Sequence, residues 1–514
     1  MAKSIVVLDF GSTSVRSFII SSDTFEILGS SRYEIKYIQS DNGTCEINPD
    51  ELFSNILKIL REALKDAQLN VENVLCLAIS VQRSTFAIID KITGEPYTQL
   101  ISWADRRAQE RTDKINKSLI LKTIRNACSV IFCLTRKNRY KQASNFKLQS
   151  AFIAPRFSYL LQNNRKLREA TKAGRTALCT MDTWLLNRLK NITKFENFEF
   201  ITDVTNASAT GFLDPFTLKV IPMMLQYFGI DEMMLPRIVD NSYDYGYTDK
   251  ALFGMPIRIA TIIADQAAAL IGNGCFRRMD TKISLGTGTF LSINSGEKCM
   301  GSRNGANPMI AWNTETRSKK QSNVYYSEYH FHESSKLIRF AKTVGLCNEV
   351  GELSDMAQSV NDSDGIIFIP KFNSMAGFIG FKQSTTKCHL VRAVLETIVF
   401  KVAQFYFFTK EETNYHYDKI RIDGGISAND FICQSIADLL NIHIERGINS
   451  SEITSIGCAY LALYNCGILE KLEHASKFYK IEKLFTPNES NRRELFMRYK
   501  RFEEVNNRYE KILL

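Results

Sequence analysis

The sequence lacks the patterns that mark small stapled, metal-bound or membrane-spanning proteins. Its 12 cysteines in 514 residues include no C-x-x-C pair, which argues against a zinc ribbon or a disulfide framework and indicates a reducing compartment. The longest apolar run, residues 257–271, is interrupted by Asp265, and the first stops at Asp9, too short for a signal-peptide core. We therefore expect a cytoplasmic protein without a transmembrane segment.

An excess of charge of one sign is also missing. The net charge is a modest +10. The basic run 136–141 has no stripe of interleaved aromatic residues, so a solvated loop is favoured over a nucleic-acid surface. We expect no nucleic-acid partner. The 45% hydrophobic and 23% charged residues are typical of a globular chain, and the length indicates at least two domains.

Strand-like and helix-like runs alternate along the chain, which predicts an α/β fold. The clearest are helix 49–68, strand 74–81, strand 257–264 with helix 267–272, and strand 419–422 with helix 429–440. The polar run 202–208 is expected to lie between elements. We place the domains at 1–255 and 256–475, followed by a helical extension, 476–514. Its apolar side chains are expected to pack on the second domain, with a partner-binding role left open: Leu495, Phe496, Tyr499 and Phe502.

Two similar strand–turn–strand segments are the most informative feature of the chain. Residues 9–16 read DFGSTSVR and residues 285–290 read LGTGTF, each between apolar β-rich runs. Tight turns of this composition offer backbone N–H and hydroxyl donors to an anion. Two of them suggest a duplicated ATPase core that binds a nucleotide from both sides.

Several polar residues at predicted strand ends fit phosphoryl transfer to an alcohol. Asp9 is placed either to hold Mg²⁺ through water or only to brace its own turn. Arg16 can reach phosphate oxygens, with an exposed strand arginine as the ordinary alternative. Asp265 follows a buried strand, where a carboxylate can act as general base or simply cap the next helix. Arg83 and Trp103, at the ends of neighbouring strands, are suited to a small polyol, although core packing is the ordinary role of a tryptophan.

These residues lie in motifs that resemble the FGGY carbohydrate kinases, and among them the glycerol kinases. Residues 138–163 and 203–215 look most like their divergent type-five branch. The similar segments follow the family's order over residues 4–470: 8–16, 79–83, 101–103, 181–186, 202–210, 264–266, 286–290 and 422–425. The resemblance implies two actin-like, RNase-H-type ATPase domains with the active site in the interdomain cleft. It also implies ATP and Mg²⁺ as cofactors and glycerol as substrate.

Carried over by position, the resemblance assigns roles to individual residues. Asp265 would be the catalytic base. The substrate-binding residues would be Arg83, Ser84, Trp103, Asp265, Gln266 and Phe290. The nucleotide-binding residues would be Ser12, Thr13, Ser14, Arg16, Thr287, Ser335, Gly425 and Asn429. Asp9 would hold the metal. The product would be glycerol 3-phosphate, which feeds glycerol and glycerolipid metabolism.

The chain departs from the family pattern at both sites. Ser84 replaces a glutamate that binds substrate hydroxyls, and the tyrosine expected in the pocket falls near Ala151 and Phe152. A glycine-rich turn appears as residues 328–335, with Ser335 in place of a nucleotide-binding glycine, and a glycine- and proline-containing run after Phe372 is shortened to 373–377. The pair His330 and His332 has no evident third ligand, so a metal site there is disfavoured.

Three interpretations remain open at the level of sequence. The first is an ATP-dependent glycerol kinase. The second is a degenerate kinase that binds a nucleotide, a polyol or a protein with little turnover, and the third is a kinase of another small polyol or sugar. A homodimer is also left open.

Overall fold

The computed structural model describes residues 3–192, 194–315, 321–372 and 376–512, which form two compact units. The first unit comprises residues 1–278, 294–327 and 454–478, and the second comprises 279–293, 328–453 and 479–514. The strands up to residue 278 are β1 (Ser4–Phe10), β2 (Ser14–Ser21), β3 (Ile27–Glu34), β4 (Tyr37–Gln39), β5 (Cys45–Ile47), β6 (Val74–Val81), β7 (Phe86–Asp90), β8 (Leu100–Ile101), β9 (Thr176–Thr180), β10 (Ile201–Asp203), β11 (Leu213–Asp214), β12 (Lys219–Val220), β13 (Arg237–Val239) and β14 (Ile259–Ala264). The helices there are α1 (Pro49–Asp66), α2 (Gln109–Lys117), α3 (Leu119–Thr135), α4 (Asn138–Ala143), α5 (Ile153–Asn163), α6 (Arg165–Lys172), α7 (Met181–Leu189), α8 (Val204–Ser208), α9 (Pro222–Phe228), α10 (Lys250–Phe253) and α11 (Asp265–Gly272).

The remaining elements follow residue 278. The strands are β15 (Thr281–Leu285), β16 (Thr289–Gly296), β17 (Asn307–Glu315), β18 (Gln321–Phe331), β19 (Ile367–Ile369), β20 (Gly377–Ile379), β21 (Lys419–Asp423), β22 (His443–Gly447) and β23 (Ile481–Phe485). The helices are α12 (Ser334–Thr343), α13 (Leu353–Gln358), α14 (Lys387–Thr413), α15 (Asp430–Leu440), α16 (Ile453–Asn465) and α17 (Glu489–Ile512).

The central sheet of the first unit has the order β14-β6-β1-β2-β3. Strands β1, β6 and β14 are parallel, with Phe10 opposite Val81 and Val81 opposite Ala264. Their continuous apolar runs are buried, as expected of parallel strands covered on both faces. Because all three end at one edge of the sheet, the residues that follow them are brought together there.

Helix α1 packs its apolar face on this sheet. Asn48 accepts hydrogen bonds from the backbone N–H groups of Asp50 and Glu51, and Pro49 occupies the first turn, so the start of the helix is well specified. The predicted helix 49–68 is confirmed, with its end at Asp66, and the predicted strand 74–81 is confirmed as β6.

Two expectations for this region are wrong. The polar run 202–208 is not a connection, because it forms the end of β10 and the buried helix α8, whose N-cap Asp203 accepts hydrogen bonds from the N–H groups of Thr205 and Asn206. The basic run 136–141 is not wholly a loop, because α4 starts at Asn138, and Arg139 is paired with Asp214 at 2.7 Å.

The boundary between the units differs from the sequence-based division at residue 255. Strand β14 pairs with β6, so β14 and α11 belong to the first unit. Helix α16 also belongs to it, and its Gly457 is packed so closely that a Cβ atom there would lie 1.9 Å from the carbonyl oxygen of Ala268 in α11. Only glycine permits this approach of two helices.

In the second unit, β15 pairs with β16 in an antiparallel hairpin and with β21 in parallel, and β21 continues through β22 to β23. Residues 294–327, which include β17 and most of β18, belong to the first unit. Both predicted hairpins, β1–β2 and β15–β16, are confirmed. The actin-like two-domain α/β fold is likewise as predicted.

Helix α17 packs within the second unit, as predicted. Tyr499 and Phe502 are buried, with their rings 5.9 and 5.3 Å from that of Phe400 in α14. The predicted helical extension 476–514 also contains strand β23, which extends the sheet.

Among the described residues, no single helix has the length and apolar character needed to cross a membrane, although α2 and α3, bent by 55°, pass that test as a pair.

Candidate active site

Asp9 lies at the end of β1, buried beside two partners. Its Oδ2 accepts hydrogen bonds from Arg16 Nη2 at 2.6 Å and from Ser455 Oγ of α16 at 3.2 Å. Its Oδ1 is buried without a hydrogen-bond partner in the described part of the chain. A buried carboxylate oxygen without a partner is costly, so Asp9 has one oxygen available for a ligand.

This arrangement fits Mg²⁺ held through water and phosphate, with a single carboxylate from the protein. Across the residues that the structure describes, no group of three or more histidine, cysteine, aspartate or glutamate side chains is placed to hold a metal by itself. His330 and His332 have rings 4.5 Å apart and belong to no such group.

The first predicted phosphate loop is fixed at Ser12. Trp103 Nε1 donates to Ser12 Oγ at 3.0 Å, and the Tyr37 hydroxyl donates to the Ser12 carbonyl at 2.6 Å. Thr13, at the tip, is exposed, and Ser14 begins β2. The structure thus brings the predicted substrate residue Trp103 against the predicted phosphate loop.

Arg83 and Asp265 form an ion pair at the carboxyl edge of the central sheet. Arg83 Nε lies 3.4 Å from Asp265 Oδ1, and both side chains remain partly exposed. Arg83 Nη1 donates to the Tyr326 hydroxyl at 3.0 Å and approaches the Met309 sulfur at 3.1 Å. Tyr326 and Met309 were not predicted, because no local pattern links residues so distant in the chain.

Asp265 is the first residue of α11 rather than its N-cap, a position taken by Ala264. The Asp265 Oδ1 atom accepts the backbone N–H of Gln266 at 2.7 Å. Asp265 therefore does not occupy the N-cap position, but its carboxylate accepts one of the first N–H groups of the helix and interacts favourably with the helix dipole. Gln266 follows directly in the same turn and is half-buried.

A buried polar network holds the backbone of the residues that lead into α11. Thr205 Oγ1 accepts the N–H of Ala264 at 2.8 Å and donates to Asp203 Oδ1 at 2.5 Å. Asn241 Nδ2 donates to Asp203 Oδ1 and to the carbonyl of Ile262, both at 3.0 Å. Burial and the nearby Asp182 carboxylate raise the pKa of Asp203 to about 7. The sequence signal for this network is the polar run 202–208, which was expected to lie between elements and falls within the family-like segment 202–210.

Ser84, a predicted substrate residue, is engaged with the protein backbone. Its hydroxyl donates to the Ala209 carbonyl at 2.7 Å, and its φ of 60° lies in the left-handed region, which is uncommon for residues other than glycine. The buried Arg156 guanidinium donates to the Ser84 and Ser102 carbonyls at 2.6 and 2.5 Å. Arg156 thereby fixes the loops that carry Arg83 and Trp103.

The second predicted phosphate loop belongs to the second unit. The carbonyl of Thr287 accepts both the N–H and the hydroxyl of Ser335, at 3.2 and 3.0 Å. A Cβ at Gly288 would lie 3.0 Å from the carbonyl oxygen of Phe331, which leaves little room for a larger residue. Ser335 therefore supports the loop that contains Thr287.

Within the segment 328–335 the turn before α12 is limited to His332 and Glu333, because β18 continues to Phe331 and α12 begins at Ser334. Tyr329 is buried and stacked on Phe405 of α14, with ring centroids 5.4 Å apart. The Phe290 ring lies 5.9 Å from that of His332. Residues 373–375 of the shortened run after Phe372 lie outside the described residues.

The segment after β21 carries two of the predicted nucleotide-binding residues, Gly425 and Asn429. Gly424 has φ 90°, and a Cβ there would lie 2.5 Å from the Leu285 carbonyl oxygen, so this position requires glycine. Nothing lies within 4 Å of a Cβ at Gly425, so that position is open. Asn429 is the N-cap of α15, with its Oδ1 accepting the N–H of Ile432 at 3.1 Å.

Comparison with known proteins defines the class of this fold and site. Residues 4–272 match the N-terminal domain of the FGGY family of carbohydrate kinases, and residues 281–466 match its C-terminal domain. The chain therefore belongs to the FGGY family of carbohydrate kinases. This membership supports an ATP-dependent kinase of a sugar or polyol.

More particular likenesses are to glycerol kinases. The chain is 34% identical to Glycerol kinase 5 of Bos taurus over 490 residues, covering 93% of this chain and 90% of that protein. It is 28% identical to Glycerol kinase 2 of Thermotoga maritima, with 97% of each covered. Plasmodium falciparum glycerol kinase, solved with ADP, is similar in structure with a TM-score of 0.80 at 25% identity, covering 100% of this chain and 99% of that one. A gluconate kinase from Lactobacillus acidophilus shares the fold, with the same TM-score at 18% identity. The match covers 99% of this chain and 98% of that one.

Proposed function

We propose that this chain transfers the γ-phosphoryl group of ATP to glycerol, giving glycerol 3-phosphate and ADP. The observation that carries the proposal is the Arg83–Asp265 pair, a partly exposed carboxylate held beside a guanidinium where three parallel strands end. A carboxylate in such a position can accept a proton from a hydroxyl while the guanidinium donates to a neighbouring substrate oxygen.

In the proposed reaction, Asp265 takes the proton of a glycerol hydroxyl as that oxygen attacks the γ-phosphorus. The bond between the γ-phosphorus and the bridging oxygen breaks, and ADP leaves. Arg83 and Trp103, with Ser84, Gln266 and Phe290, would surround the polyol. Tyr326 would position Arg83 through its hydroxyl, which accepts from Nη1.

The phosphates would meet the donors of both loops and Arg16. The assigned residues are Ser12, Thr13, Ser14 and Thr287. Asp9, with its free Oδ1, would hold Mg²⁺, which neutralises phosphate charge when bound. The nucleotide would also contact Gly425 and Asn429. The predicted nucleotide-binding residue Ser335 would contribute by donating its hydroxyl to the carbonyl of Thr287. The 12 free cysteines support a cytoplasmic setting for this reaction.

A second candidate, a kinase of a different small polyol or sugar, is favoured by Ser84. Its hydroxyl is already bonded to the Ala209 carbonyl, so no carboxylate or free hydroxyl is offered at this position. Glycerol would then lose one charged hydrogen bond, which contributes about 1.5–3 kcal/mol.

The deciding experiment measures ADP release with MgATP and a panel of glycerol, other polyols, xylulose and gluconate. We expect the highest kcat/KM with glycerol. A higher value with another acceptor would reject glycerol but retain the kinase. If no acceptor stimulates ADP release while calorimetry shows ATP binding, the chain is a degenerate, nucleotide-binding member of the family.

A further inference from the structure

Helix α3 exposes an apolar stripe to solvent. Leu119, Ile120, Val130 and Leu134 are 80%, 71%, 60% and 80% exposed. Their spacing places them on one side of the helix. The described residues of α3 include none that is buried, although the helix is predominantly apolar. Large apolar side chains scattered singly on a surface are ordinary, whereas a contiguous stripe marks a surface for binding.

The opposite side of α3 is fastened to the protein. Arg125 Nε donates to the Phe146 carbonyl at 2.7 Å, and its Nη1 donates to the Asn116 carbonyl at 3.2 Å. The Phe132 ring lies under the Arg303 guanidinium, 4.7 Å from its carbon. The helix is therefore a fixed part of the first unit, and only its outer side is available to a partner.

The part of the chain that carries the stripe is strongly basic. From Lys114 to Arg168 the sequence contains no aspartate or glutamate. Lys117 and Lys122 are exposed at the start of the stripe, and Lys137 is exposed after its end. An apolar helix face bordered by lysine and arginine is the pattern of helices that lie in the interface of anionic membranes.

We propose that α3 docks the protein on an anionic lipid surface, with the four apolar side chains entering the headgroup region and the lysines contacting lipid phosphates. The geometry favours lying on the membrane over crossing it. A helix of 17 residues is about 25 Å long, shorter than the hydrocarbon core of about 30 Å. Crossing would also require breaking the contacts of Arg125. This proposal is independent of the proposed function.

Co-sedimentation of the full chain with phosphatidylcholine vesicles, with and without phosphatidylserine, tests the docking. We expect sedimentation with the anionic vesicles only, and its loss in V130E/L134E, which places two carboxylates in the stripe. K117Q/K122Q should weaken partitioning by about fivefold for each lysine. Raising the salt from about 0.1 M to about 1 M should release the protein, because the Debye length falls from about 10 Å to about 3 Å.

I92E is the matched control, since Ile92 is 69% exposed but lies outside the basic region. It should sediment like the unaltered chain, and circular dichroism should show that all variants are folded. Failure of the unaltered chain to bind anionic vesicles, or equal binding by V130E/L134E, would overturn the proposal. So would light scattering that shows a dimer converted to a monomer by V130E/L134E without vesicle binding, because the stripe would then join two copies of the chain.

Discussion

The side-chain oxygen of Thr205 is hydrogen-bonded to Ala264, the residue immediately before Asp265. The Thr205 Oγ1 atom accepts the N–H of Ala264 at 2.8 Å and donates to Asp203. The position of Asp265 at the start of α11 thus depends on a hydroxyl in α8, a helix distant in sequence.

Thr205→Val should test whether the Thr205 hydroxyl positions Asp265 for phosphoryl transfer. Valine keeps the volume but leaves the buried N–H of Ala264 without a partner, which costs about 1–3 kcal/mol. We expect the free energy of unfolding to fall by this amount, and kcat to fall while the Kd for ATP is unchanged. Denaturant unfolding, steady-state kinetics and calorimetry would measure the three quantities. Thr205→Ser keeps the hydroxyl and should retain kcat; equal losses in both variants would contradict the positioning role.

Asp265→Asn should leave a folded protein that binds ATP but transfers its phosphoryl group to glycerol very slowly. The amide oxygen can still accept the Gln266 N–H but cannot take a proton from a substrate hydroxyl. Loss of a general base lowers the rate by about a hundredfold to ten-thousandfold. Single-turnover kinetics with MgATP and glycerol would measure this effect. A variant that remains nearly as fast as the unaltered chain would exclude Asp265 as the base.

Ser84→Glu should lower the KM for glycerol if the missing carboxylate limits affinity. A charged hydrogen bond of about 1.5–3 kcal/mol corresponds to roughly a ten- to hundredfold change. Ser84→Ala is the control, because it also removes the bond to the Ala209 carbonyl but adds no carboxylate. If both variants change KM equally, or if neither does, then glycerol is not recognised at this position.

Cys466 should be alkylated unusually fast near neutral pH. A hydrogen bond from the Cys76 thiol lowers the pKa of Cys466 to about 7, below the usual thiol value of about 8.5. The thiolate fraction at pH 7 rises about sixteenfold and the intrinsic nucleophilicity falls about fivefold, a net gain of roughly threefold. Cys76→Ala should therefore slow iodoacetamide labelling of Cys466 several-fold.

Mass spectrometry of labelled peptides at pH 7 would measure both rates. Cys133 is exposed and has no part in this pair, so its labelling rate is an internal standard. Slowing at both cysteines in Cys76→Ala would indicate a global change rather than loss of the hydrogen bond. Labelling of Cys466 at the same rate in both proteins would contradict the lowered pKa.

The sequence predicted the elements that rest on local patterns. Both hairpins, helix α1 and strand β6 have apolar periodicity and end signals that are readable over a few residues. It also placed Arg83 and Asp265 at strand ends. Tyr326, Ser455 and the Thr205 network could not be predicted, because each contact depends on tertiary packing between segments that are far apart in the chain. Helix α8 was missed because its residues are polar and hydrogen-bond to one another inside the protein.

The contact of Gly457 with α11 has a consequence for how the chain folds during synthesis. The first unit needs residues 454–478, which include Gly457 and the Ser455 hydroxyl that bonds Asp9. Domains generally fold as units, and N-terminal ones begin while the ribosome is still translating. Here the N-terminal sheet must wait for most of the second unit to be made before its last helix arrives. Chains interrupted before residue 454 would therefore contain every strand of that sheet and still leave Asp9 without its Ser455 partner.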